Sequence, residues 1–437
     1  MGFFHATALV VGTILGASIF VQPSEISRHV PSVVGMMLVW LLAGILSLCG
    51  ALVCAELAAA FPRMGGVYVF LKEIFSPAIG FLWGWAMFWS VHSGIIAAMG
   101  VIFARFVAYF VPLDDFGIRV TAIVGILALS AVNYGGVRLG SGLQVLLTAA
   151  KLLAVVLILV LFFALGSPQM DQPMSGLPSG MLLFTWQEFF LALTAGLFTF
   201  GGWHMVTYAA DETRSPERTI PRALVMGTLA VTACYLALNA AYLYVLPLER
   251  VIISTRVAAD AAQLLLGPRG GAAISALVIL SSFGALNGVI LAGPRVYSAM
   301  AQDGLAFRWL GAIHARYRTP HWAIVLQAVW SAVLVATDTY RNLFTRVIYT
   351  EWLFFALLAV GVFRLRQRPG YMPSSAAWGY PMVPSLFIVS AVIVVGNQIA
   401  ASPLESVAGL ALVGMGLPVY YVWARKGAGQ GGANARN

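Results

Sequence analysis

Two short stretches carry the groups best suited to hold a small charged molecule. Residues 12–20 read GTILGASIF and residues 195–205 read AGLFTFGGWHM. Each sets glycines and hydroxyl side chains, Thr13 and Ser18 in the first and Thr199 in the second, inside a largely apolar run. Glycine eases departure from helical geometry, and an unwound turn frees N–H and C=O groups. In hydrocarbon such groups persist only where a ligand, ion or water occupies the space they line. N–H groups at a helix start attract a carboxylate, and freed carbonyls accept from an ammonium. A zwitterion satisfies both ends. One glycine-rich stretch alone would be read as close helix packing; a second at an equivalent position reverses that reading.

Lys151, in LLTAAKLLAVVLIL, is the third such group. It lies 13 residues beyond Arg138, about 20 Å of helix. Its stem is too short to reach water from that depth. An uncompensated ammonium there costs at least about 2.5–3.5 kcal/mol, so the side chain should face inward. It then either ties helices together or serves a site. His204 follows the second glycine stretch directly and is a candidate polar gate, whereas His92 reads as a packing histidine. Glu56 suits a structural ion pair near the end of the second span, and Glu188 and Glu351 have no assigned role.

These groups must be positioned by membrane helices. The chain has 437 residues, 60% hydrophobic and 9% charged, against about 25% charged in soluble domains. Too few polar side chains exist to face water. The apolar runs are about 20 residues long, the length of a helical span, and the strict alternation of barrel strands is absent. The fold class is therefore an all-α membrane protein. Twelve spans are predicted near 3–29, 34–60, 77–110, 118–134, 139–165, 183–210, 222–246, 271–301, 320–337, 342–364, 383–401 and 405–424. The first run lacks a basic leader and reads as a span, not a cleavable signal peptide.

Basic residues concentrate in the connections on one side, as at Arg214, Arg218 and Arg222 and at Arg364, Arg366 and Arg368. That bias places both termini in the cytoplasm and accounts for the net charge of +9 without nucleic acid. Residues 166–182 read as an external loop, and 247–270 as a short amphipathic helix stopped at Gly267-Pro268. Residues 425–437 are expected to be a disordered cytoplasmic tail. The three cysteines, Cys49, Cys54 and Cys234, all lie in apolar runs, so no disulfide framework is expected. The histidines are scattered, with no H-E-x-x-H spacing and no G-x-S-x-G elbow. An enzyme is not expected, nor a metal or cofactor.

If spans 1–5 and 6–10 form two halves, the glycine stretches fall in the first helix of each, as in inverted-repeat transporters. At this point the sequence resembles the amino acid–polyamine–organocation (APC) superfamily, most closely the L-type amino acid transporter branch and its bacterial relatives. GTILGASIF and GLFTFGGW are similar to that family's signatures in spans 1 and 6. ADETRSPERTIPRAL (210–224), AELAAAFPRMGGVYVFLKEIFSPAIGFLWGW (55–85) and FGALNGVILAGPRVYSAMAQDGL (283–305) resemble its segments after span 6, between spans 2 and 3, and in span 8.

The resemblance implies a LeuT-type 5+5 inverted repeat with discontinuous helices 1 and 6 and two peripheral helices. The repeats would cover about 3–165 and 183–364, the peripheral helices 383–424, all within one domain, 1–424. It implies a secondary transporter of amino acids working by alternating access. Carried over, Ile14, Gly16, Ala17 and Ser18 line the first break, and Phe198, Thr199, Gly201 and Gly202 the second. Phe198 becomes the aromatic gate and Asn287 a polar wall. Ala17-Ser18 stands where the family usually has Ser-Gly, which narrows the pocket. Lys151 takes the place of the ion of sodium-coupled members and implies sodium-independent transport.

No acidic residue lies near the centres of spans 1, 3, 6 and 8, which favours neutral over cationic substrates. Exchange is the favoured mode; proton-coupled symport, or antiport of cationic amino acids or polyamines, is the alternative. The expected partners are the amino acid and the bilayer, with no disulfide-linked subunit because no cysteine lies in an external loop. The expected location is a bacterial inner membrane.

Overall fold

The computed structural model describes residues 1–63, 65–135, 151–153, 155–167, 184–317, 319–373 and 375–431. These are all-helical, with no strand among them. The order is α1 (Phe3–Ile14), a 3-10 turn (Ser18–Phe20), α2 (Gln22–His29), α3 (Val33–Ala60), α4 (Val67–Ile74) and α5 (Pro77–Ala86). A π-helical turn (Met87–Val91), α6 (His92–Val107), α7 (Asp115–Tyr134) and α8 (Lys151–Leu165) follow. The chain continues through α9 (Trp186–Thr199), a 3-10 segment (Trp203–Glu212), α10 (Pro216–Val245), α11 (Leu248–Ile253) and α12 (Val257–Gln302). It ends with a 3-10 turn (Arg308–Gly311), α13 (His321–Thr337), α14 (Tyr340–Arg366), α15 (Met382–Ala401), α16 (Pro403–Gly414) and α17 (Gly416–Gly431).

Among the described residues, nine helical stretches are long and apolar enough to cross a membrane. Three shorter apolar helices, α1, α8 and α13, fall within the remaining stretches predicted to span. Residues 139–150 of the fifth predicted span and most of the 166–182 loop lie outside the described residues. Between Pro247 and Gly270 the structure has two helices where one was expected. α11 comes first, and the start of α12 then breaks at Gly267 (φ 70°) beside Pro268. α17 runs to Gly431, into the segment expected to be disordered, and 432–437 lie outside the described residues.

Helix ends are set by local chemistry. Asp114 accepts from the Gly117 N–H at 2.7 Å and Thr185 from the Glu188 N–H at 3.2 Å, capping orphan donors at the starts of α7 and α9. The outward faces are apolar: Val124 and Leu127 on α7, Val156 and Val160 on α8, and Val389 and Val392 on α15 are all exposed, as a lipid-facing surface requires. On α8 the buried side chains Lys151, Val155, Ile158 and Phe162 recur at helical spacing, so Lys151 shares the inward face.

The two glycine-rich segments lie side by side and run antiparallel. α1 packs on the 3-10 segment 203–212, and α2 packs on α9. At one face the Met1 ammonium donates to the Glu212 carbonyl. At the opposite face His29, at the end of α2, pairs with Glu188 at the start of α9. The beginning of each broken segment therefore meets the end of the other. α10 packs along both α1 and α3 and covers the pair from one side.

Candidate functional site

The breaks occur at the glycines. α1 stops at Ile14, and Leu15 leaves helical geometry at ψ 70°. The Gly16 N–H turns back to the Ile14 carbonyl at 2.5 Å. α9 stops at Thr199, and Gly202 takes a left-handed φ of 101° before the 3-10 segment. Only glycine holds that geometry without strain. A Cβ on Gly202 would sit 3.0 Å from the Thr13 carbonyl, so the second break is pressed onto the first.

Both carbonyl ends are gathered by one residue that sequence reading missed. Tyr235 Oη on α10 lies 2.7 Å from Ile14 O and 3.1 Å from Thr199 O. Its ring is wedged edge-on between Trp40 and Phe200. A tyrosine in an apolar run gives no sign of its partners, one of which lies 221 residues away in sequence. Lys151 Nζ, fully inside the bundle, reaches the Gly12 carbonyl at 3.4 Å. The ammonium therefore sits against the last turn of α1.

A small cavity of about 20 Å³ lies beside the breaks, lined by Thr13, Met99, Phe198, Gly201, Gly202 and Glu351 among others. It has room for about one water and none for an amino acid. The structure thus brings Phe198, Gly201 and Gly202 to one wall. Phe198 packs on Phe344 with ring centroids 5.5 Å apart. Ile14, Gly16, Ala17 and Ser18 are buried at the first break but do not line this cavity; Thr13 does. The Ser18 hydroxyl is buried without a hydrogen-bond partner. The Thr199 hydroxyl is turned back onto its own helix, donating to Ala195 O at 3.2 Å. Asn287 is fully buried and accepts from the Asn133 side chain of α7 at 2.8 Å, so it ties α12 to α7 while its neighbours Ala285 and Val289 reach the cavity.

Two further ionisable groups meet here. His204 Nε2 lies 3.7 Å from Glu351 Oε1, with both side chains buried. Glu351 comes from α14 and brings a carboxylate to a cavity whose other walls carry none. It stands on the tenth predicted span, whereas the centres of spans 1, 3, 6 and 8 carry no acid. His92 follows the π-helical turn, and its Nε2 lies 2.7 Å from the Val289 carbonyl, consistent with a packing histidine. Among the described residues no cluster of His, Cys, Asp and Glu could hold a metal ion.

Ionic contacts close both ends of the pair of broken segments. At the face carrying Met1, Asp303 accepts from Tyr68 at 2.5 Å and from Lys72 at 2.7 Å, and Arg295 pairs with Glu212 at 3.2 Å. Burial and the neighbouring Asp303 carboxylate hold the Tyr68 phenol well above its usual range, so it stays a donor. At the opposite face Glu25 binds Arg341 at 2.8 Å and Arg28 at 3.2 Å. Glu56 takes a bidentate contact from Arg366 at 2.7–2.8 Å and a third bond from the Ala377 N–H at 2.6 Å, the structural role its position suggested.

Residues 1–419 match the amino acid permease family. The serine/threonine exchanger SteT of Bacillus subtilis (strain 168) is 32% identical over 427 residues, covering 96% of each chain. The mouse large neutral amino acids transporter small subunit 2 is 28% identical, with 98% of this chain and 82% of that protein covered. The human cystine/glutamate transporter is 27% identical, with 97% and 85% covered. These relatives are membrane transporters, not enzymes, and the helices described above belong to an integral, multi-pass membrane protein.

Proposed function

The chain belongs to the amino acid permease family, and from that premise we propose that it is a sodium-independent exchanger of neutral amino acids working by alternating access. The observation that carries this reading is the antiparallel pair of broken helices, with carbonyl ends converging on Tyr235 and a small cavity beside them. When the cavity widens, the substrate ammonium takes whichever of the Ile14 and Thr199 carbonyls the single Tyr235 hydrogen leaves free. The carboxylate takes the N–H groups of residues 16–18 and the Ser18 hydroxyl. Phe198 closes over the side chain. Lys151, held against Gly12, supplies the positive charge that sodium supplies in ion-coupled transporters.

The fold that fits is a LeuT-type inverted repeat of twelve spans. The repeats cover about 3–165 and 183–364, the peripheral helices 383–424, and both termini face the cytoplasm of a bacterial inner membrane. Neutral substrates accord with the relatives named for serine, threonine and large neutral amino acids. Glu351 favours one second reading, in which a cationic side chain pairs with it. No disulfide-linked subunit is proposed, since all three cysteines lie within α3 and α10.

Counterflow in proteoliposomes tests the reading. Vesicles preloaded with L-serine, L-threonine, L-alanine or L-leucine should accelerate uptake of the labelled amino acid, equally with sodium or choline outside. Acceleration by L-arginine or putrescine alone would establish the cationic reading; no acceleration by any of them would remove transport by exchange.

A further inference from the structure

We propose that His204 and Glu351 form a proton-binding site on the cavity wall, filled as the cavity closes, so that binding of substrate takes up one proton. This rests on the exchanger reading above and adds a second ligand to the same site.

The two side chains come from different segments. His204 stands two residues after the Gly202 break, and Glu351 stands on α14, which packs against α9 and α6. Their 3.7 Å separation is longer than a hydrogen bond. Both ring nitrogens of His204 and Oε1 of Glu351 are buried without a hydrogen-bond partner. Buried polar atoms are nearly always paired; here Oε1 and Nε2 face each other with no other partner, so either can hold a proton shared between them.

The surroundings decide how many protons the closed pair holds. Trp83, Phe355 and Tyr208 ring His204 with aromatic carbon. Among the described residues, the titratable groups facing the pair are His92 from α6, Tyr208 from the same 3-10 segment and, behind Tyr208, Cys54 of α3 and Tyr297 of α12. None of these is a fixed cation, and Lys151 is engaged with Gly12. A bare carboxylate beside a neutral imidazole would leave one net negative charge in hydrocarbon, which is strongly unfavourable. One added proton, on either Oε1 or Nε2, brings the pair to net zero.

Opening changes that count. Glu351 lines the cavity, so widening brings water to the carboxylate, which then loses the shared proton to solvent. Closure over substrate expels the water, and the pair takes one proton back from it. Two states that bind different numbers of protons have an equilibrium that depends on pH, and the coupling is reciprocal. Substrate affinity therefore rises toward acid, by at most about tenfold per pH unit for one proton.

The counterflow panel first identifies the amino acid to use; its failure would tell against the exchanger reading, not this one. With that amino acid, calorimetry on the purified full-length protein in phosphate and in Tris reads proton uptake from the difference in heat. About one proton per bound amino acid is expected, and equal heats after correction for dilution would overturn the proposal. Apparent affinity measured from pH 6 to pH 8 should tighten toward acid in the wild type and lose its slope in Glu351→Gln and His204→Asn. A slope retained by both variants would overturn the assignment to this pair. Where either variant does not fold, the two-buffer measurement on the unaltered protein decides.

Discussion

Tyr235 donates to the Ile14 carbonyl at 2.7 Å while the Thr199 carbonyl waits 3.1 Å from the same oxygen. A phenol has one hydrogen, so it satisfies one broken helix end at a time and leaves the other to a further donor. The substrate ammonium is that donor in the proposed cycle. Tyr235→Phe removes the hydrogen bond and keeps the ring that packs on Trp40 and Phe200. A buried carbonyl left unpaired costs about 1–3 kcal/mol. The variant should melt several degrees lower and bind substrate about tenfold or more weakly. Thermal unfolding in detergent and saturation binding check both; wild-type values in each would show that the phenol does not hold the two ends.

Gly202→Ala tests the contact between the breaks. At φ 101° a side chain costs about 1–2 kcal/mol from backbone strain alone. The new methyl would also meet the Thr13 carbonyl at 3.0 Å, prising the segments apart just where the cavity must close. Counterflow should fall to background while the protein still reaches the membrane. Transport at the wild-type rate would mean that the breaks need not touch.

Much of this arrangement is legible in the sequence. Glycines at 12, 16, 201 and 202 interrupt runs that are otherwise good helix formers, and a lysine at mid-span has few places to go. Patterns of that kind report on the residue itself or its own helix. What escaped were pairings between helices far apart in sequence. Asn287 was expected on the substrate wall, and the bond it accepts from Asn133 on α7 is a contact no local pattern announces. Glu351 lies in a tenth span that apolar periodicity marks as buried without saying which neighbour it meets. Periodicity shows which face turns inward; it does not show what lies opposite.

Lys151→Met keeps the length and apolar contacts of the stem and removes the charge. The contact with Gly12 O, at 3.4 Å, is a long charge-assisted bond, a type worth about 1.5–3 kcal/mol when well formed. Counterflow should drop about tenfold or more. In the wild type, replacing sodium with choline should leave the rate unchanged. Rescue of the Lys151→Met variant by sodium would locate the amine where an ion can sit; a wild-type requirement for sodium would contradict its proposed role.

The last prediction concerns the closure at the face carrying Met1. Asp303 gathers Tyr68 and Lys72 there, joining the end of α12 to α4. The Lys72 pair is about one-third exposed, so solvent screening leaves it worth about 1 kcal/mol or less. The Tyr68 bond is better sheltered, and its phenol remains a donor at any physiological pH because burial and Asp303 oppose its ionisation. Asp303→Asn keeps an acceptor but discards the charge that strengthens both contacts, so the face should open several-fold more often. A cysteine introduced at Met205, beside the cavity, in a background with Cys49, Cys54 and Cys234 replaced by serine, reports that opening. An impermeant maleimide applied from the side of Met1 should label it several-fold faster in Asp303→Asn than in the parent, with labelling from the opposite side slowed. Equal rates from both sides in both proteins would show that other contacts, such as Arg295 with Glu212, keep this face shut.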